Sequence, residues 1–158
     1  MIMTDDDMHD LSTDAFAILP LIQTQLEDEV IEFAAVSLAI ADIEFLQESS
    51  VKFVSPSAFI FFQNETPEAS QQRGKRIQIR QNIRILIAIR DTQNNPILSY
   101  AGTMIAKTRC ALAGWLPPLT GASTLRYQGL SAPILMPGAG FFPLDFTYTF
   151  IVSGDDTS

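Results

Sequence analysis

From Arg76 to Arg90 the chain alternates apolar and polar side chains. Ile77, Ile79, Ile83, Ile85, Ile87 and Ile89 take odd positions, interrupted by Gln81, while Arg76, Gln78, Arg80, Asn82, Arg84 and Arg90 take even ones. Successive side chains of a strand point to opposite faces, so period 2 sorts these residues into an apolar face and a basic face. The pattern predicts one strand over 76–90. At ~3.3 Å per residue it spans roughly 50 Å, far beyond the usual strand of about 5–6 residues. A small domain does not need that length for its core, so part of the strand is expected to reach beyond it, with its Arg face against a partner or water.

Other segments follow helical or extended periods. Ala15, Ile18, Leu19, Ile22 and Leu26 repeat at helical spacing behind a cap at Thr13 or Asp14, with Pro20 marking a kink or the first helical position. Glu27, Asp28 and Glu29 close this helix at the end where the helix dipole disfavours carboxylates, so their charge is expected to answer something outside the helix. Val30–Val36 reads as a short strand. Leu38, Ile40, Ile43, Phe45 and Leu46 fit a second short helix. Phe53-Val54 and then Ser57–Phe62 predict a buried strand, because Phe59, Ile60, Phe61 and Phe62 fill both faces, and Asn64–Gln72 a polar loop. Asn95 as cap and Pro96 at the first turn open a helix over about 96–113, buried through Ile97, Ala101, Met104, Ile105, Thr108 and Leu112 and stopped by Gly114. Short strands are expected at Thr124–Leu130 and Ala132–Met136. After a turn at Pro137–Gly140, a last strand covers Phe141–Val152, with Leu144, Phe146, Tyr148, Phe150 and Val152 on one face and Asp145, Thr147 and Thr149 on the other. The mixed pattern gives an α+β class: residues 1–13 are an acidic leader, 14–152 one domain, 153–158 a polar tail.

Composition changes this picture in one respect. The 158 residues are 47% hydrophobic and 18% charged, below the ~25% charged of a typical domain, which leaves surface for other subunits to cover. The net charge of −8 hides an asymmetry: residues 1–68 hold 14 acids and one base, residues 69–144 nine bases and one acid, and residues 145–158 three acids. Either an acidic tail accompanies an ordinary solvated strand face, or acidic and basic surfaces of neighbouring subunits meet and set register. An acidic protein with a single Arg-rich strand is a poor electrostatic footprint for nucleic acid. No signal-peptide pattern opens the chain, and no apolar run reaches the ~18 residues of a membrane span. The chain reads as a soluble protein made in a cytosol.

Catalytic chemistry finds little support. His9, the one histidine, sits in the acidic leader; Cys110, the one cysteine, sits beside the buried stripe of a helix and reads as an inert core residue without a histidine to activate it. A single cysteine also excludes an intramolecular disulfide. One Cys and one His far apart make no zinc site, and the leader's aspartates lack calcium-loop spacing. No catalytic, cofactor or metal residues are assigned. The candidate functional residues are interfacial. Arg73, Lys75, Arg76, Arg80 and Arg84 form either a solvated surface or a contact for acidic groups of a neighbour. Trp115 is either a core anchor closing the helix against the sheet or a hot spot between subunits.

The order of elements resembles the tail terminator (tail-completion) proteins of long-tailed bacteriophages over about residues 15–152. The resemblance rests on the first helix with Ile18-Leu19 and Leu26, the strand ending Phe61-Phe62, and the strand Arg80–Arg90 closing on Ile-Leu-Ile-Ala-Ile-Arg. Then come Gly114-Trp115-Leu116-Pro117-Pro118, Leu125-Arg126-Tyr127-Gln128-Gly129 and the aromatic strand Phe146–Val152. It implies helices packed on a mainly antiparallel sheet. It also implies a six-membered ring on the tail tube that ends polymerisation, faces a head-tail connector or neck protein at the tail-neck junction, and lets DNA pass only as cargo through its lumen. Another phage neck or baseplate protein, or a small enzyme with an unrecognised acidic site, are the other classes left open.

Overall fold

The computed structural model describes Leu11 and residues 14–39, 53–68, 76–91 and 97–153. The leader with His9, the segment carrying Ile40 to Leu46, the loop with Arg73 and Lys75, the Asn95–Pro96 cap and the tail after Ser153 lie outside the described residues.

Helix α1 runs Ile18–Glu29 and buries Ile18, Ile22 and Leu26, one side chain per turn. Asp14 caps a preceding turn rather than the helix itself: its Oδ1 accepts the Phe16 N–H at 3.0 Å. Pro20 falls in the first helical turn, where its missing N–H would have no helical partner anyway, so it neither kinks nor starts the helix. Strand β1 covers Ala35–Leu38, later than the expected Val30–Val36, because Val30–Phe33 closes the helix in a turn. Leu38, expected in a helix, ends this strand.

Strand β2 runs Ser57–Pro67, without Phe53 and the exposed Val54 expected at its start, and five residues past the expected end at Phe62. Those added residues are all exposed, so no apolar alternation announces them. Asn64–Pro67 pairs instead with Asn82–Ile79 of β3, after a register shift between Phe62 and Asn64. Strand β3 is the long strand, Arg76–Arg90, as the alternation predicts. Helix α2 is Ile97–Leu112, with Ala101, Met104, Ile105, Thr108, Ala111 and Leu112 buried; Ile97, expected in the buried stripe, is only half-buried because it stands at the open first turn. Gly114 follows at φ 81°, the left-handed value a helix stop needs. Strands β4 (Arg126–Leu130) and β5 (Ile134–Met136) precede β6 (Ala139–Ser153). The β5–β6 turn is tighter than the expected four residues, since Met136 already pairs with Ala139.

The six strands form one sheet in the order β1-β2-β3-β6-β4, with β5 also paired to β6. Only β1–β2 is parallel; β3 and β6 share an antiparallel ladder from Arg76↔Ser153 to Arg90↔Ala139. Both helices pack on one face, against Ile83, Ile85, Ile87 and Ile89 of β3 and Leu144, Phe146, Tyr148 and Phe150 of β6. The other face is divided. Near the β5 end, Phe61, Leu86, Ala88 and Phe141 form a second apolar cluster. Beyond it the face turns polar, and this polar end carries the candidate surface.

Candidate assembly surface

Even positions of β3 and odd positions of β6 build the polar end of the open sheet face. The ladder pairs Arg80 with Thr149, Asn82 with Thr147 and Arg84 with Asp145, which brings these side chains together on one face. Arg84 uses its guanidinium within the chain: Nε donates to Asp145 Oδ1 at 2.7 Å and Nη2 to Oδ2 at 3.0 Å. The Asp145 hydrogen bond raises the Arg84 pKa above its ordinary value against the opposing effect of partial burial. Ser131 Oγ also donates to Asp145 Oδ2, at 3.3 Å. Arg80 reaches Glu68 Oε1 at 2.9 Å while its side chain stays about half exposed, 48%. Arg90 stacks over Phe53, with Cζ 4.5 Å from the ring centre, and its Nε donates to the Phe53 carbonyl at 3.0 Å. Among the described residues, Arg76 and Arg126 make no ion pair or hydrogen bond through their side chains, and both are exposed.

Arg80 and Arg126 flank a cleft of about 450 Å³ lined also by Ser123, Thr124, Gln128 and Thr149. The backbone fixes this cleft firmly. Ser123 N–H donates to the Thr149 carbonyl at 2.8 Å, and Ser123 Oγ accepts the Thr149 N–H at 3.0 Å. Arg126 pairs with Thr147 on the outer strand β4. None of Arg126, Asp145, Glu68 or the cleft was singled out from sequence as part of a site. The Asp145–Thr147–Thr149 alternation placed a polar face, but the register that sets Arg84 against Asp145 is visible only in three dimensions.

Trp115 stands apart from this surface. It is half-buried against the helix-side core, and the segment around it is tied by Gly114 N–H to the Leu125 carbonyl and Leu125 N–H to the Trp115 carbonyl, both 2.8 Å. Cys110 is exposed on α2 rather than lodged in the core: the buried stripe passes through Thr108, Ala111 and Leu112, and position 110 falls on the outer side of that turn.

On the helix side, α1 ends in Glu27, Asp28 and Glu29, all exposed and, among the described residues, without an ion pair or hydrogen bond from their side chains. No basic residue occupies that last turn. The neighbouring Glu32 differs: it is paired with Lys107 of α2, and this hydrogen bond lowers the Glu32 carboxyl below its ordinary value.

One polar group on the apolar face also matters. Gln81 is fully buried; its Nε2 donates to the Ala15 carbonyl and to Glu65 Oε1, each at 2.8 Å, and its Oε1 accepts the Tyr148 hydroxyl. Burial, reinforced by the Glu65 charge, pushes the Tyr148 hydroxyl pKa well above the usual 10.0.

Among the described residues no group of three or more His, Cys, Asp or Glu side chains could hold a metal ion, and no helix is long and apolar enough to cross a membrane.

The family model described as "Phage tail terminator protein" matches residues 12–157. No curated protein sequence matches the chain. Among solved structures, a chain of the "Virion of native gene transfer agent (GTA) particle" superposes with a TM-score of 0.51 at 13% identity, covering 82% of this chain and 94% of that one. At that identity the likeness is one of fold.

Proposed function

The chain belongs to the phage tail terminator protein family, and on that premise we propose that it is a structural virion protein that closes the tail tube as a hexameric ring. In this reading it ends tube polymerisation and forms the tail side of the head-tail joint, after assembly in the host cytoplasm. Its partners are further copies of itself, the tail tube protein and a connector or neck protein, and DNA crosses the lumen as cargo. No reaction and no cofactor are assigned to it.

One observation carries the ring: among the described residues, a run of exposed acids and a group of exposed arginines lie on opposite layers. The acids that end α1 have no ion pair among the described residues and belong to the helical layer, whereas unpaired Arg76 and Arg126 and the half-exposed Arg80, engaged by Glu68 through one nitrogen, lie on the open sheet face. Two unlike patches on opposite sides cannot satisfy each other in a two-fold dimer of like patches; they match in head-to-tail contacts, which close into a ring when the rotation between copies allows. Arg76 extends the basic surface toward the end of the sheet, and Arg73 and Lys75, outside the described residues, are further candidates for the contact by charge alone. Trp115 enters as a hot spot only if a neighbour covers its exposed edge.

Negative-stain imaging and sedimentation of the purified chain test the reading. Rings of uniform size that bind the end of purified tail tubes and halt their growth are expected; a chain that remains monomeric and leaves tube length unregulated refutes it.

A further inference from the structure

We propose that the Arg80–Arg126 cleft is the socket of the ring contact and that the acidic end of α1 from a second copy of this chain, Glu27 and Asp28 foremost, fills it. The inference rests on the ring reading above and names the surfaces that make the ring.

Three observations carry it. The cleft holds two guanidinium groups beside hydroxyls and an amide, in about 450 Å³, a set that takes carboxylate oxygens through charge-assisted hydrogen bonds. Arg126 makes no intrachain ion pair or hydrogen bond among the described residues, and only one terminal nitrogen of Arg80 is engaged, by Glu68. A guanidinium has five N–H donors, so most of this donor capacity is free.

The second observation is the plug. Three consecutive exposed carboxylates stand at the negative end of the α1 dipole, with no basic residue in that turn. In the isolated subunit this arrangement is unfavourable, and a cationic socket relieves it. Carboxylates at the end of a helix also project from a rigid element.

The third is geometry. Plug and socket sit on opposite layers of the same fold, so one copy cannot fill its own socket, and the contact propagates head to tail.

A phosphate backbone is the rival occupant of a basic cleft. It fits this face less well, because Glu68 and Asp145 lie on or beside it and already pair Arg80 and Arg84. A track for DNA needs a run of uncompensated cations.

Charge reversal in solution tests the contact. One variant carries Arg80→Glu and Arg126→Glu, another Glu27→Lys and Asp28→Lys; all four positions are exposed, and thermal melts confirm folding. By sedimentation velocity each variant alone is expected to assemble with an apparent dissociation constant raised on the order of 10²-fold, because like charges then face each other. A chain carrying all four reversals restores every contact with itself and is expected to form rings again, and so is an equimolar mixture of the two variants, alternating around an even ring. Should Arg80→Glu disturb folding beside Glu68, Arg126→Glu against Glu27→Lys alone gives the same rescue. Rings that ignore both reversals, a fourfold variant that stays dissociated, or an Arg variant that forms normal rings and loses only DNA or tube binding overturns the socket. A wild-type chain that never forms rings, free or on tail tubes, instead overturns the ring reading beneath it.

Discussion

Replacing Gln81 should reveal how a polar residue on the apolar face of β3 supports the fold. Gln81 is fully buried and so is Tyr148. Truncation in Gln81→Ala removes three hydrogen bonds: two donated by Nε2 at 2.8 Å to the Ala15 carbonyl and to Glu65, and one accepted from the Tyr148 hydroxyl. Glu65 is exposed and regains water, so its loss weighs least. Tyr148 keeps a buried O–H with no acceptor, which costs about 1–3 kcal/mol. Adding the space vacated by the side chain brings the expected destabilisation to about 3–5 kcal/mol. Tyr148→Phe alone leaves only the Gln81 carbonyl oxygen unsatisfied and should cost about 1–2 kcal/mol. The double variant Gln81→Leu/Tyr148→Phe replaces both partners of that bond by apolar groups and should be more stable than the sum of the single losses by about 1–2 kcal/mol. Equilibrium denaturation in urea measures all three differences, at one fixed protein concentration because assembly raises apparent stability. Gln81→Ala unfolding at the wild-type midpoint, or Gln81→Leu and Tyr148→Phe losses that add in the double variant to within about 0.5 kcal/mol, would refute the reasoning and make Gln81 a passive interruption of the isoleucine row.

Four further outcomes are expected. Ile85→Ala, fully buried between sheet and helices, should lose about 2–5 kcal/mol by calorimetry or denaturant titration, and an unchanged melting temperature would show that the odd face is not the core. Arg84→Ala should cost only about 1 kcal/mol, because the Arg84 and Asp145 side chains keep 23% and 25% exposure and water screens the pair; a loss above about 3 kcal/mol would mean a desolvated pair. The raised pKa of Tyr148 favours its neutral form in the folded state, so its stabilisation is complete below the ordinary value of 10.0 and declines above it, by up to about 1.4 kcal/mol per pH unit; the alkaline slope of stability should be shallower in Tyr148→Phe. Exposed Cys110 should react with a thiol reagent in the folded protein, and neither Cys110→Ser nor His9→Ala should impair assembly.

The sequence made the core legible where apolar period and burial coincide. The alternation along β3 named Ile83, Ile85 and Ile87, and all three are fully buried. The stripe of α2 was legible for the same reason, with Ala101, Met104, Ile105, Thr108 and Leu112 inside. The outer half of β2 was not. Residues Gln63–Pro67 are exposed and polar, and their strand conformation comes from the β3 ladder rather than from a local preference, so Asn64–Pro67 reads as a loop until β3 is beside it. Leu38 failed for a related reason: it continued a helical spacing into 40–46, while its own backbone pairs in parallel with Ile60. The candidate surface was legible as a row of arginines and no further. Which of them are free depends on cross-strand register, and register places Asp145 against Arg84.

That register also explains how so long a strand stays ordered past its core. From Ile83 to Ile89 the odd side chains of β3 are fully buried among the helices, and burial holds the ladder. From Arg76 to Arg80 every residue is exposed or half-buried; Ile79 still packs on the edge of the core opposite buried Phe150, but burial pins the pairing less firmly there. The boundary falls at Gln81 and Asn82, where polar ties accumulate. Gln81 binds Glu65 of β2, Tyr148 of β6 and the turn before α1. Asn82 donates to Asn64 at 2.6 Å, and Arg80 holds Glu68 just beyond. Directional bonds thus take over from burial where the sheet leaves the core, and they fix alignment without adding apolar surface. A surface intended for another subunit requires this combination, since its cations must be held in register yet remain in water until the partner arrives. The isoleucine half of β3 therefore answers to stability, and under the proposed ring the arginine half serves assembly, with the Gln81 knot as the joint between the two.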